Sequence, residues 1–390
     1  MINMLTAHTS EMDFVDDAVS EVLQQLNLEE AGPPERAVGI LTCHAEFVQT
    51  GVVKALCERL PFPVAGCTTL GSATGGAAGH NLLAISVLTG DDVEFSAALS
   101  EPISPGNIGP PIRDAYSRAL TGLSAPSPAL AIAFAPFMND VDGMSLFSRI
   151  DRCCGDTPLY GTLSCSGNPD LSGSLTIWNG EAAPDVMAIL LIRGNVQPRF
   201  FLTALSDDRM GKKKGTVTDA DGPLIKAVDG VSALDFIELC GVAKESVIRA
   251  PTSIPVMLDY QDGAAPLACG IYDITPEGFL RIGANAPPGA RVSIGTQDTS
   301  GILSTAESIL RQILRETKPR GILMLPCLSR SLLLGSNSEG ELRLAAKELG
   351  GAAPYHIAYS GGEICPVSAE GGSARNRFHN FTFTACVFDS

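Results

Sequence analysis

Pro63-Val64-Ala65-Gly66-Cys67-Thr68-Thr69 is a proline, an apolar run and a tip of small polar residues, and the chain writes that phrase twice more. It returns as Pro158-Leu159-Tyr160-Gly161-Thr162-Leu163-Ser164 and as Pro354-Tyr355-His356-Ile357-Ala358-Tyr359-Ser360-Gly361-Gly362-Glu363. Each phrase follows a stretch of helical spacing (48–60, 144–154, 339–349), which itself follows a short apolar run (37–43, 130–135, 321–325). Beyond each phrase comes another apolar run (82–88, 186–192, 381–388). Short apolar runs alternating with helical patterns predict mixed sheets covered by helices, an α/β or α+β fold built from three related strand-helix-strand-strand units. The Pro-led segments read as short strands running into glycine-rich tips, where backbone N–H groups are open to a ligand.

Composition narrows the class. The 390 residues are 45% hydrophobic and 18% charged, enough apolar surface for a large core and against intrinsic disorder. With 27 Lys and Arg against 43 Asp and Glu, the net charge of −16 disfavours nucleic acid as a partner. No apolar run approaches the ~18 residues of a membrane span, and the N-terminus lacks a basic-then-apolar leader, so no membrane insertion and a cytoplasmic location are expected. The 11 Cys show no repeated spacing and read as reduced thiols. The polar stretch 206–215 has the composition of an exposed loop, with a domain boundary there or shortly after.

Motifs of catalysis are weak. His44-Ala45-Glu46 lacks the Pro-Cys-x-x-Cys of a zinc deaminase, no Cys-x-x-Cys occurs, and no metal site is expected. Ala358-Tyr359-Ser360-Gly361-Gly362 is a poor nucleophile elbow, because Glu363-Ile364-Cys365-Pro366 reads as a strand rather than a helix. Cys67 and Ser164 sit in tips where a nucleophile would act, so a small-molecule hydrolase stands as an alternative. No Walker loop or dinucleotide fingerprint is present.

A resemblance emerges in the third copy, in Pro326-Cys327-Leu328-Ser329-Arg330, then Glu341, Pro354 to Tyr359, Gly362-Glu363-Ile364 and His379-Asn380-Phe381-Thr382. With Pro63 to Gly71 in the first copy, these resemble the FIST sensory family over about residues 35 to 388. Ala358 stands where the family usually has Gly, and Thr68 where Ser is common. The resemblance implies an N-terminal-like domain at 1–230 holding two units and a C-terminal-like domain at 231–390 holding the third. It implies a sensory protein that binds a small polar metabolite such as an amino acid, signalling through a separate output protein. Haem-binding gas sensors in the wider family make haem a second alternative; the scarcity of His, with none between His80 and His356, argues against it and for no cofactor.

If the tips converge, Arg330, Tyr359, Ser360, Gly362 and Glu363 of the third copy would face Cys67 and Thr68 of the first, with Ser164 of the second nearby. Arg330 would grip a carboxylate through its forked guanidinium and Glu363 an ammonium. Against this stands a structural reading in which Arg330 and Glu363 pair with each other. His379 to Thr382 is expected to fix the start of the last strand by side-chain bonds to backbone.

Overall fold

In the computed structural model, which describes residues 2–28, 36–168, 171–368 and 374–389, three units repeat one plan. The first runs β1 (Asn3–Thr9), α1 (Val15–Leu26), β2 (Ala37–Cys43), α2 (Val52–Arg59), β3 (Val64–Thr68), β4 (Ser72–Thr74), β5 (Ala77–Gly79) and β6 (Leu83–Thr89). The second runs β7 (Val93–Leu99), α3 (Gly109–Thr121), β8 (Leu130–Ala135), α4 (Gly143–Cys154), β9 (Leu159–Leu163), β10 (Thr176–Trp178), β11 (Glu181–Ala183) and β12 (Ala188–Gly194).

The third unit begins with β13 (Arg199–Thr203) and is then interrupted. Eight strands intervene: β14 (Lys214–Asp221), β15 (Leu224–Val228), β16 (Val231–Ser232), β17 (Val256–Asp259), β18 (Leu267–Cys269), β19 (Ile271–Ile274), β20 (Leu280–Ile282) and β21 (Arg291–Ile294), with α5 (Ala233–Leu239) and α6 (Lys244–Arg249). They form their own sheet around a separate core of Val217, Phe236, Leu258, Ile271 and Val292. The unit resumes with α7 (Thr299–Glu316), β22 (Pro319–Pro326), α8 (Leu328–Leu334), α9 (Gly340–Leu349), β23 (Tyr355–Ala358), β24 (Glu363–Ser368), β25 (Ala374–His379) and β26 (Phe383–Asp389). The polar stretch at 206–215 is therefore the way into an inserted unit, and the third repeat lies on both sides of it.

Three six-stranded sheets result, and each borrows a hairpin. Their orders are β1-β6-β2-β3-β10-β11, β7-β12-β8-β9-β24-β25 and β13-β26-β22-β23-β4-β5. The β4–β5 hairpin of unit one completes the sheet of unit three, β10–β11 of unit two completes that of unit one, and β24–β25 of unit three completes that of unit two. The exchange closes a ring, so the three phrases that begin after Pro63, Pro158 and Pro354 must meet at its centre.

Burial explains the strand sequences. Ala37–Cys43 and Leu130–Ala135 are buried throughout, because their inner faces meet a shared core (Val38, Ile40, Ile132, Phe134, Leu323, Leu325) while helices cover their outer faces. Near-continuous apolar runs follow from that geometry. In α7 the buried positions Ile302, Thr305, Ala306, Ile309, Leu310 and Ile313 recur at three and four, and the Asp298 carboxylate caps the first turn by accepting from the Gly301 N–H at 2.8 Å. At Gly66 a β-carbon would lie 1.7 Å from the Leu41 carbonyl oxygen, and at the equivalent Gly161 2.2 Å from that of Ala133, so the parallel β2–β3 and β8–β9 pairs admit only glycine there.

Candidate functional site

The tips converge as the repeats predict. At equivalent points the N–H groups of Thr69, Ser164 and Ser360 donate to the last carbonyls of the preceding strands, those of Cys43, Ala135 and Pro326, at 2.9, 2.8 and 2.8 Å. The tips are then stitched to one another. Cys165 N–H donates to Thr68 O at 3.1 Å, Gly361 N–H to Leu163 O at 3.0 Å, and the Thr69 hydroxyl to Tyr359 O at 2.7 Å. Thr68, Thr69, Ser164 and Ser360 are fully buried in the hub, and each of these hydroxyls has a protein partner.

The placement of each expected residue follows from this. Thr68 Oγ1 accepts from the Leu175 N–H at 2.8 Å, tying β3 to the borrowed hairpin of unit two. Ser164 Oγ accepts from the Phe137 N–H at 3.1 Å. Ser360 Oγ accepts from the Thr162 hydroxyl at 2.7 Å and from the Gly362 N–H at 3.1 Å, and the Gly362 carbonyl accepts from the Leu163 N–H at 2.9 Å. The Tyr359 hydroxyl donates to Ser338 O at 2.8 Å. Cys67 is buried in the shared central core. These residues form the floor that holds the units together, with their polar atoms turned to protein.

Arg330 requires a correction. It lies in the first turn of α8, beyond the end of β22 at Pro326. It pairs with Glu341 rather than Glu363, its Nε and Nη2 donating to Glu341 Oε1 at 3.0 and 2.8 Å. The remaining N–H groups go to Ala204 O, Phe381 O, Ile302 O and Thr305 Oγ1 at 3.0 to 3.2 Å, so every guanidinium donor is spent and the side chain is fully buried. Arg330 pins α7, α9, the segment before the insert and the β25–β26 turn, where Phe381 takes a left-handed φ of 57°. It has nothing left to offer a carboxylate.

Glu363 opens β24, opposite Thr162 of β9. Its Oε2 accepts from the Thr382 hydroxyl at 2.6 Å, while Oε1, fully enclosed, has no hydrogen-bond partner among the described residues. Burial raises its carboxyl to about 8, against the opposing pull of Thr382, Cys327 and Ser360. The upward shift favours the neutral carboxyl, a weak partner for an ammonium. The lead into the last strand is held by side-chain bonds to backbone at Asn380, whose Oδ1 accepts from the Gly270 N–H at 3.4 Å, and at His379, whose Nε2 lies 3.0 Å from Cys365 O, whereas the Thr382 hydroxyl bonds the Glu363 side chain.

Beside the hub opens a cleft of about 500 Å³ between units two and three and the insert. Phe137 to Met144, the loop from β8 into α4, forms one wall; Pro223, Tyr272, Arg281 and Gly283 of the insert form the other; Leu163, Gly361 and Phe378 form the base. Space at the base is kept by glycine, since a β-carbon at Gly143 would lie 2.7 Å from the Phe378 ring and one at Gly362 2.5 Å from it. Arg281 is exposed and makes no ion pair or side-chain hydrogen bond among the described residues, and the same holds for the Asp140 carboxylate across the cleft. Asp142 is engaged in capping α4 through Ser145. Sequence reasoning missed this cleft. Arg281 lies in an insert whose packing against the tips no local pattern announces.

Family comparison decides the assignment. The FIST N domain matches residues 37–231 and the FIST C domain residues 236–366. The chain belongs to the FIST family. FIST domains are sensory domains, so the chain has a signal-input role. No curated protein matches the sequence. Among solved structures, a cyanuric acid hydrolase aligns over 100% of both chains at 11% identity with a TM-score of 0.36. The cyanuric acid hydrolase of A. caulinodans aligns over 50% of this chain and 71% of its own at 10% identity and 0.26, and T. maritima PurL with AMPPCP over 100% and 73% at 10% and 0.21.

Within this FIST fold the alternative nucleophiles lack activation. Burial drives the Cys67 thiol far above its ordinary value, with the thiols of Cys165 and Cys43 adding to the effect, and among the described residues the Ser164 hydroxyl receives only the Phe137 N–H. Neither contact supplies a base. His356 is fully buried, its Nε2 2.7 Å from Thr42 Oγ1 and its Nδ1 2.8 Å from Ser86 Oγ. Burial lowers it to about 3. It is a structural link between units one and three with both nitrogens engaged. All 11 cysteines are unpaired. No helix among the described residues is long and apolar enough to cross a membrane.

Proposed function

We propose that this FIST protein is a non-enzymatic sensor of a small zwitterionic metabolite, an amino acid or close analogue, held in the cleft between units two and three and the insert. One observation carries the reading. The cleft faces an unengaged guanidinium, Arg281, with an unengaged carboxylate, Asp140, over a glycine-kept base of about 500 Å³. Arg281 takes the ligand carboxylate through its fork, Asp140 the ammonium, and Phe137, Met144 and Phe378 the apolar side chain. Glu363, Tyr359, Ser360, Gly362, Cys67, Thr68 and Ser164 support the base, transmitting occupancy through the stitched tips. The insert contributes one wall, so ligand draws it against units two and three. That movement is the signal read by a separate output protein.

The test is a thermal-shift panel of amino acids and small carboxylic acids. A ligand at 100 times its Kd stabilises by about 2.7 kcal/mol. A hit that is lost in both Arg281→Ala and Asp140→Asn supports the assignment. No stabilisation by any zwitterion, or a hit unchanged in both variants, refutes it.

A further inference from the structure

A second cavity, of about 430 Å³, lies at the outer surface of unit two, far in sequence from the insert. Its lining is Pro105 to Pro110 together with Arg113 of α3 and Arg149, Arg152 and Cys153 of α4: three guanidinium groups and no carboxylate. In a chain of net charge −16 this grouping runs against the overall composition. Arg149 and Arg152 make no ion pair or side-chain hydrogen bond among the described residues, and Arg113 has only an exposed contact to its neighbour Asp114 at 3.7 Å. The three guanidinium groups are exposed, so water and salt screen their mutual repulsion, and an anion placed between them adds attraction to all three.

We infer that this cavity binds a small molecule through its phosphate groups. Arg149 and Arg152 stand at i and i+3 on α4 and so project from one face, while Arg113 comes from the helix packed against it. Three forks from two helices suit the several oxygens of a phosphate ester or diphosphate, which accept paired N–H donors. Pro110 and Pro111 remove N–H donors from the first turn of α3, so the arginines rather than the helix end carry the recognition. The Pro105–Gly109 loop supplies the opposite wall, and no atom of the fold lies within 4 Å of a β-carbon placed on Gly106, leaving room there for the part of the ligand that bears the phosphate. Half-buried Cys153 lies in the wall, where a bound ligand would shield its thiol. The site is independent of the zwitterion cleft and stands or falls apart from it.

Calorimetric titration of the full chain with pyrophosphate at low salt tests this, alongside inorganic phosphate and a nucleoside diphosphate. One equivalent of pyrophosphate should bind, and Arg149→Ala with Arg152→Ala should weaken it at least ~tenfold, the loss of a charged hydrogen bond or more. Replacing Lys212, Lys213 and Lys214 with alanine, a basic run elsewhere on the surface, should leave binding unchanged. Pyrophosphate should also slow N-ethylmaleimide labelling of Cys153, read by peptide mass spectrometry, in the wild type and not in the double variant. Tighter binding of the nucleoside diphosphate than of pyrophosphate supports an organic phosphate as the ligand, and equal binding supports free phosphate chemistry. Absence of binding by all three anions, or equal weakening in the lysine variant, overturns the inference.

Discussion

Arg330 and Arg281 are two arginines of the same chain that meet opposite fates. Arg330 is sealed among α7, α8, α9 and the β25–β26 turn, with each donor committed to protein. Arg281 stands on an inserted strand over a cleft with its donors unengaged. The difference teaches where to look for recognition in such a fold. Where three repeats converge, most of their polar groups satisfy one another, with the buried Glu363 Oε1 an exception; where the insert meets the repeats no symmetry-related partner exists, and Arg281 is left without a protein partner among the described residues.

The largest effect expected from this contrast is on stability. Arg330→Ala strands the Glu341 carboxylate and three carbonyls in the interior and should cost about 3–5 kcal/mol in urea unfolding, as for other broken buried pairs. Arg330→Met combined with Glu341→Leu should recover part of that loss, since no buried charge then lacks a partner although the three carbonyls still lose the Arg330 donors. A small loss in Arg330→Ala would show that water reaches the site, and would break the contrast.

Glu363 gives the next effect, and its sign is set by proton uptake. With its carboxyl near 8 in the folded protein and 4.5 in an unfolded chain, the folded state holds the extra proton between those values. Stability therefore falls as pH rises from about 4.5 to 8 and levels off above. Glu363→Gln removes this dependence, so the variant should match the wild type near pH 4 and exceed it near pH 8 by roughly a few kcal/mol. A variant less stable than wild type at pH 8 would mean that ionised Glu363 is favoured by its neighbours.

Arg281→Ala should leave the urea midpoint unchanged while abolishing stabilisation by the zwitterionic ligand, the reverse of Arg330→Ala. A matching loss of stability would place Arg281 in the framework too. The smallest effect concerns thiols. N-ethylmaleimide should modify the partly exposed Cys153 and Cys240 in the native protein, and the nine buried cysteines only after unfolding. Early labelling of Cys165 or Cys327 would show the hub opening at equilibrium.

Much of this was legible in the sequence, and for a local reason. The repeat of proline, strand and small polar tip is written in consecutive residues, as are the apolar runs 37–43 and 130–135, whose burial on both faces leaves few polar choices. From these the α/β class, the three units and the meeting of their tips followed. The FIST resemblance came from the same phrases.

What the sequence alone determined was the set of elements and their repetition, because backbone spacing and apolar periodicity depend on near neighbours. Tertiary structure decided the rest. That β4–β5, β10–β11 and β24–β25 cross to other units, that β14–β21 split the third repeat, and that Arg330 chooses Glu341 over Glu363 are outcomes of competition among contacts distant in the chain. Glu363 and Glu341 are both acids within reach in sequence of Arg330. Only the packing of α9 against α7 and α8 brings one of them to the guanidinium, and only the docking of the insert leaves Arg281 open over a cleft.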